Sequence, residues 1–221
     1  MASGKEFFLT FDVFMSLLDW FGVVVFAITG ALVASRKEMD LTGFALLGTV
    51  TGIGGGTIRD LLLGIRPIFW VEDPRYVLFC VAVSALVFLT TPAITARRRL
   101  LLWFDAVGLA LFAVTGAERA LEAGTGAVVA VLMGMITATF GGIIRDVLGN
   151  ESPAILSREV YATAALVGAA AFAMLMAVGV DREAAVIASV LAGFLVRSAA
   201  LIFGWSLPRY RPRPGRPDGE P

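Results

Sequence analysis

Thr51-Gly52-Ile53-Gly54-Gly55-Gly56-Thr57-Ile58-Arg59-Asp60 sets three consecutive glycines and a pair of neighbouring charges inside an otherwise apolar run. Each glycine costs roughly 1 kcal/mol relative to alanine in a helix interior, so the cluster predicts a break, a kink or very close approach by another backbone. The pattern returns as Thr137-Ala138-Thr139-Phe140-Gly141-Gly142-Ile143-Ile144-Arg145-Asp146. From Arg59 to Arg145 the offset is 86 residues, and recurrence at a fixed spacing marks an internal duplication.

Held constant, that offset carries Asp19 onto Asp105, Gly22 onto Gly108, Phe26 onto Phe112, Thr29-Gly30 onto Thr115-Gly116 and Pro67 onto Pro153, without a gap. Three apolar runs fall in each half. Three is odd, so the second half must enter a bilayer from the opposite face, as an inverted-topology repeat. A further run, unrepeated, contains Arg197 as its one charge between Ala184 and Leu207. The expected fold is an all-α polytopic membrane protein with seven transmembrane helices, two inverted three-helix repeats plus a seventh helix. Residues 1–205 form one transmembrane domain, with repeats at about 13–96 and 100–180 and the last helix at about 184–205. Residues 1–12 read as a short mixed lead-in, and 206–221 as a disordered cytoplasmic tail.

Composition agrees. Of 221 residues 58% are hydrophobic and 16% charged, and the mean hydropathy is +0.84. A soluble domain cannot hide so much apolar surface. Runs such as Leu41–Ile58 and Ala123–Ile144 reach the roughly 18 to 20 residues that cross hydrocarbon. Histidine is absent, which removes imidazole catalysis and histidine metal sites. The lone Cys80 lies in an apolar run and reads as a buried small hydrophobe. Neither a cofactor, a metal nor an enzymatic activity is expected, and the net charge of zero points to no nucleic acid. Basic residues gather on one side, at Arg36, Lys37, Arg97, Arg98, Arg99, Arg158 and the tail arginines Arg209, Arg211, Arg213 and Arg216. Fewer lie opposite, at Lys5, Arg66, Arg75, Arg119 and Arg182. The expected orientation in the cell membrane is N-terminus outside and C-terminus cytoplasmic.

Inside hydrocarbon every backbone group needs a partner, so a broken helix is tolerated only where it is buried in protein or lines a wet cavity. The second and fifth spans are therefore the expected ion pathway, with Thr51, Gly52, Gly54, Gly55, Gly56, Thr137, Thr139, Gly141 and Gly142 at the helix breaks. Carbonyls freed at a break can replace a cation's water, and Asp60 and Asp146 would cap the N–H groups of the downstream half-helix. Arg59, Asp60, Arg145 and Asp146 would set pore electrostatics or gating. At an effective dielectric of about 20, a unit charge about 8 Å away contributes roughly 2 kcal/mol. Plainer readings are helix packing for the glycines and snorkelling surface ion pairs for the charges. Asp19 and Asp105 read more readily as interfacial helix-start residues than as ion ligands, and Thr29 and Thr115 as bonding their own helix. Gly55 to Gly64 also resembles the glycine and Arg-Asp signature of tRNA nucleotidyltransferases. Glu72-Asp73 is adjacent rather than alternating, however, and the second copy in a lipid-length run disfavours that reading.

The duplicated Gly-Gly-x-x-Arg-Asp segments, Gly55–Asp60 and Gly141–Asp146, in a three-plus-three-plus-one arrangement, resemble the prokaryotic trimeric intracellular cation (TRIC) channels from about Leu17 to Gly204. The resemblance implies a homotrimer in membrane lipid, with one pathway per protomer lined by kinked second and fifth helices and passing monovalent cations, chiefly potassium and sodium. Phe140 stands where the first copy has Gly54, which would tighten or partly plug the second bend. The same domain is often labelled a glycine transporter, so a carrier for a small solute such as glycine stays open as the alternative.

Overall fold

A computed structural model describes residues 2–91, 97–156 and 160–208. Eight α-helices are formed among them: α1 Ala2–Arg36, α2 Leu41–Leu63, α3 Phe69–Glu72, α4 Arg75–Thr90, α5 Arg97–Glu122, α6 Ala127–Leu148, α7 Ala162–Ala177 and α8 Arg182–Phe203. A 3-10 turn at Ala154–Leu156 follows α6. The ends have local causes. Asp40 and Asp181 accept hydrogen bonds from Gly43 N and Ala184 N and so cap α2 and α8. Gly64 and Gly204 take left-handed conformations (φ 70° and 66°) that stop the same two helices.

Five helices are long and apolar enough to cross a membrane: Val13–Arg36, Leu41–Leu63, Arg98–Glu122, Ala127–Leu148 and Arg182–Phe203. The chain is thus an all-helical, multi-pass membrane protein. α4 and α7 have 16 residues each, about 24 Å, short of the roughly 30 Å of hydrocarbon. α4 ends just before Pro92, and α7 just before Gly179, whose φ is 79°. The N-terminal lead-in is absent as a separate piece, because α1 is helical from Ala2. Most of the expected tail, and Arg158, lie outside the described residues.

At the centre α1, α2, α5 and α6 pack on one another; α4 lies against α1 and α2, and α7 and α8 pack together against α5. Exposed and buried chemistry are inverted relative to a soluble bundle. Leu17, Leu46, Leu86, Leu89, Leu132 and Leu195 face outward, while Arg59, Asp60, Asp105, Glu118, Arg145 and Asp146 are buried.

Contacts at matched positions recur in both halves. Gly30 packs on Thr51 and Gly48 as Gly116 packs on Thr137 and Gly134. Between halves, Gly22 lies under the Phe112 ring, Gly108 under the Phe26 ring, and the two rings stack at 5.2 Å. Such a stack adds about 0.5–1.5 kcal/mol beyond its buried area.

The glycine clusters behave otherwise than expected. α2 is one helix through Gly54-Gly55-Gly56, and α6 one helix through Gly141-Gly142, so the predicted breaks do not form. The glycines are where the two helices cross. A Cβ on Gly55 would land on the Thr137 carbonyl oxygen, and one on Gly141 would lie 2.5 Å from the Thr51 carbonyl oxygen. Neither obstacle is a side chain that can turn aside. Gly55→Ala and Gly141→Ala are therefore expected to lower the thermal unfolding midpoint in detergent, each by a loss of about 1–3 kcal/mol. Gly126→Ala, whose Cβ would meet nothing within 4 Å, should stay near wild type. Equal midpoints for the Gly55 and Gly126 variants would contradict the close crossing.

Candidate ion pathway

Arg59 and Arg145 each follow their crossing glycine by four residues, about 6 Å along the helix. Each uses Nε to bond its neighbour, Asp60 Oδ1 at 2.8 Å and Asp146 Oδ1 at 2.9 Å. The second oxygen of each aspartate is also engaged. Asp60 Oδ2 accepts from Phe69 N and Asp146 Oδ2 from Ala154 N, both at 3.0 Å. These aspartates therefore tie the segment after each helix back to its own arginine, and do not cap a downstream half-helix as expected. Both arginine side chains are buried, 4% and 2% exposed, which overturns the surface ion-pair reading.

The two ends differ in what else the guanidinium meets. Arg145 Nη1 donates to Asp105 Oδ1 at 2.6 Å and to Thr29 Oγ1 at 3.1 Å, and Tyr161 Oη lies 3.5 Å from the same Asp105 oxygen. Arg59 instead lies over the Phe69 ring, 5.7 Å from its centroid. Asp105 is thus an internal counter-ion, eight residues into α5, and not an interfacial helix-start residue. Asp19 is buried mid-way along α1 and meets Arg119 Nη2 at 3.8 Å. Thr29 bonds its own helix at Phe26 O (2.8 Å) besides accepting from Arg145. Thr115 Oγ1 is buried and has no hydrogen-bond partner among the described residues.

Thr51, Thr137 and Thr139 are buried and donate to carbonyls one turn back, Leu47 O, Met133 O and Met135 O. Gly52 packs on Val23, Gly54 on Ile144, Gly56 on Phe69 and Gly142 on Tyr161. A cavity of about 200 Å³ at the Arg145 end is lined by Arg36, Arg98, Asp105, Asp146, Glu151 and Arg197 among others. Another of about 100 Å³ at the Arg59 end is lined by Asp60, Pro67, Phe69, Glu72 and Arg119 as well. Gly55, Gly141, Thr51 and Thr137 line neither cavity. Charge-lined hollows thus approach the crossing from two sides, and backbone contact fills the crossing itself.

A family profile described as a glycine transporter matches residues 16–92 and again 102–177. The TRIC channel orthologue from Rhodobacter sphaeroides is 62% identical, with a TM-score of 0.85, over 86% of this chain and 98% of its own. The chain belongs to the prokaryotic TRIC channel family. It is also 41% identical to a UPF0126 membrane protein of Vibrio cholerae, over 88% of this chain and 82% of that one. With the UPF0126 inner membrane protein YadS of Escherichia coli K12 it shares 42%, over 87% and 94%.

In this TRIC-family chain several site residues escaped the sequence reading. Arg197 is buried in α8, donates to Val160 O at 3.4 Å and lies over the Tyr161 ring at 5.2 Å. Its isolation in an apolar run was the available signal. Glu118 is buried and paired with Arg182, which also lies over Phe11 at 4.6 Å. That link ties α8 to α5 and α1, and sequence offers no sign of it. Phe69 and Tyr161 likewise look like ordinary aromatics near helix starts.

The unequal contacts of Asp105 and Asp19 predict unequal costs. Asp105→Asn leaves Arg145 with Asp146 as its one carboxylate partner and is expected to destabilise by about 3 kcal/mol, in the range for breaking a buried pair. Asp19→Asn, measured without potassium or sodium, loosens the 3.8 Å contact to Arg119 and should cost markedly less. Unfolding midpoints in detergent decide it, and equal losses would refute the assignment of Asp105 as the principal counter-ion.

Proposed function

We propose that this chain is a passive channel for monovalent cations, potassium and sodium, with one path in each protomer of a homotrimer in the cell membrane. The path follows the α2–α6 crossing and is flanked by α1 and α5. One observation carries the reading: charged and hydroxylic side chains are buried along the inside of an apolar-faced bundle, on both sides of a crossing made of glycine. Intramembrane ionisable residues are costly and mark ion pathways. The closed crossing is the gate on this reading. Thr51, Gly52, Gly54, Gly55, Gly56, Thr137, Thr139, Gly141 and Gly142 line it once the helices part, and Arg59, Asp60, Arg145 and Asp146 set the field on either side.

Seven spans in two inverted repeats, with α4 and α7 as the short ones, are part of the proposal. Its supports are the two profile matches beginning 86 residues apart, at 16 and 102, and two ion pairs between the halves. Arg36, at the end of α1, pairs with Glu151 just after α6, and Arg119, near the end of α5, pairs with Asp19 of α1. The arginine-rich end, with Arg36, Arg98 and Arg145, is the cytoplasmic one.

Purified protein in a planar lipid bilayer is expected to give unitary potassium currents. Saturable glycine uptake in vesicles without such steps would replace the channel by a carrier. Orientation has its own test: a cysteine at Ser3 should react with an impermeant thiol reagent in intact cells, and one at Asp218 should not. The reverse pattern would overturn the assigned sidedness.

A further inference from the structure

At the Arg145 end a single nitrogen, Arg145 Nη1, lies between Asp105 Oδ1 and Thr29 Oγ1, at 2.6 and 3.1 Å. A carboxylate from α5 and a hydroxyl from α1 thus make a two-oxygen cradle around a positive charge. The 86-residue offset turns that pair into Asp19 on α1 and Thr115 on α5. The helices that carry them pack reciprocally, Gly22 under Phe112 and Gly108 under Phe26. The same packing therefore sets Asp19 opposite Thr115 as it sets Asp105 opposite Thr29.

This second cradle holds no guanidinium. Arg59, the counterpart of Arg145, is drawn aside by Asp60 and by the Phe69 ring, and the position matching Phe69 is Ile155, which has no ring. Arg119 approaches the other carboxylate oxygen, Asp19 Oδ2. Asp19 and Thr115 are only 7% and 0% exposed, yet Asp19 Oδ1 and Thr115 Oγ1 have no hydrogen-bond partner among the described residues. A buried anionic oxygen without a donor is strongly disfavoured unless a cation meets it.

We propose that Asp19 Oδ1 and Thr115 Oγ1 form a binding site for a partly dehydrated monovalent cation, potassium or sodium, where the other half places a guanidinium nitrogen. Hard cations take oxygen ligands. In the neighbouring cavity Arg59 and Arg119 balance Asp60 and Glu72, so Asp19 brings one net negative charge, which suits a monovalent rather than a divalent ion. The proposal rests on the channel reading and locates an ion site at the Arg59 end of its path.

The test is thermal unfolding of the purified full-length protein, titrated with potassium chloride against N-methylglucamine chloride at constant ionic strength. Potassium should raise the midpoint of the wild type. Asp19→Asn and Thr115→Val should each raise the half-maximal potassium concentration about tenfold, as loss of one charge-assisted or hydroxyl ligand implies. Asp105→Asn, which disturbs the guanidinium cradle, should lose stability and keep the potassium response. Arg59→Gln removes a neighbouring positive charge and should lower the half-maximal concentration. A wild type indifferent to potassium, an undiminished response in Asp19→Asn, or a weakened one in Arg59→Gln would each overturn the site. Currents separate the two readings. Conduction without an Asp19-dependent response leaves the channel and removes the site, while an Asp19-dependent response in a protein that passes no potassium does the reverse.

Discussion

Two helices in this chain meet backbone to backbone, the Thr137 carbonyl facing Gly55 and the Thr51 carbonyl facing Gly141. Lipid supplies no hydrophobic drive between helices, so close packing of small residues has to hold them. The buried charges near the crossing are placed by that contact. It fixes Arg59 and Arg145 one turn away on opposite sides, while Gly30 seats α1 closely on α2 and Gly116 seats α5 closely on α6. A side chain at either crossing glycine would push apart the elements that carry the charges as well as the helices themselves.

Charge burial sets the second constraint. A guanidinium or carboxylate taken from water costs several kcal/mol per ion even after relaxation, and only well-placed partners offset that cost. Arg145 meets two carboxylates and a hydroxyl. Arg59 meets one carboxylate and the face of a ring. Asp60 and Asp146 serve twice over, since each also receives the backbone N–H of the segment that follows its helix. Loop geometry beyond α2 and α6 is thereby coupled to arginine position, so a change on the surface at Phe69 or Ala154 reaches the interior without passing through the helices.

The duplication, the membrane class and the central role of the glycines were legible, because a fixed offset and apolar run length survive in one dimension. Which of the three consequences of a glycine cluster would follow was not. Gly55 fits a break and a close crossing equally well, and only the facing Thr137 carbonyl, 82 residues away, decides between them. Asp105 was misread for a related reason. A carboxylate near the start of an apolar run looks interfacial until Arg145, from the far end of another helix, is placed 2.6 Å from it. Arg197 stood out by its isolation, but its partner Tyr161 carries no such mark. Charge partners across helices are set by rotation about each helix axis, which residue order does not record.

Position 119 holds arginine, and the position that matches it in the first half, 33, holds valine, buried among apolar neighbours. A path built from two identical halves facing opposite ways would present the same energy profile to an ion from either bath. Val33 and Arg119 remove that equivalence at one place, as Phe69 and Ile155 do at another. On the inverted arrangement proposed above, the two directions of travel are then no longer mirror images. A channel so built rectifies, and its polarity is written in the few positions where the duplicated copies have diverged.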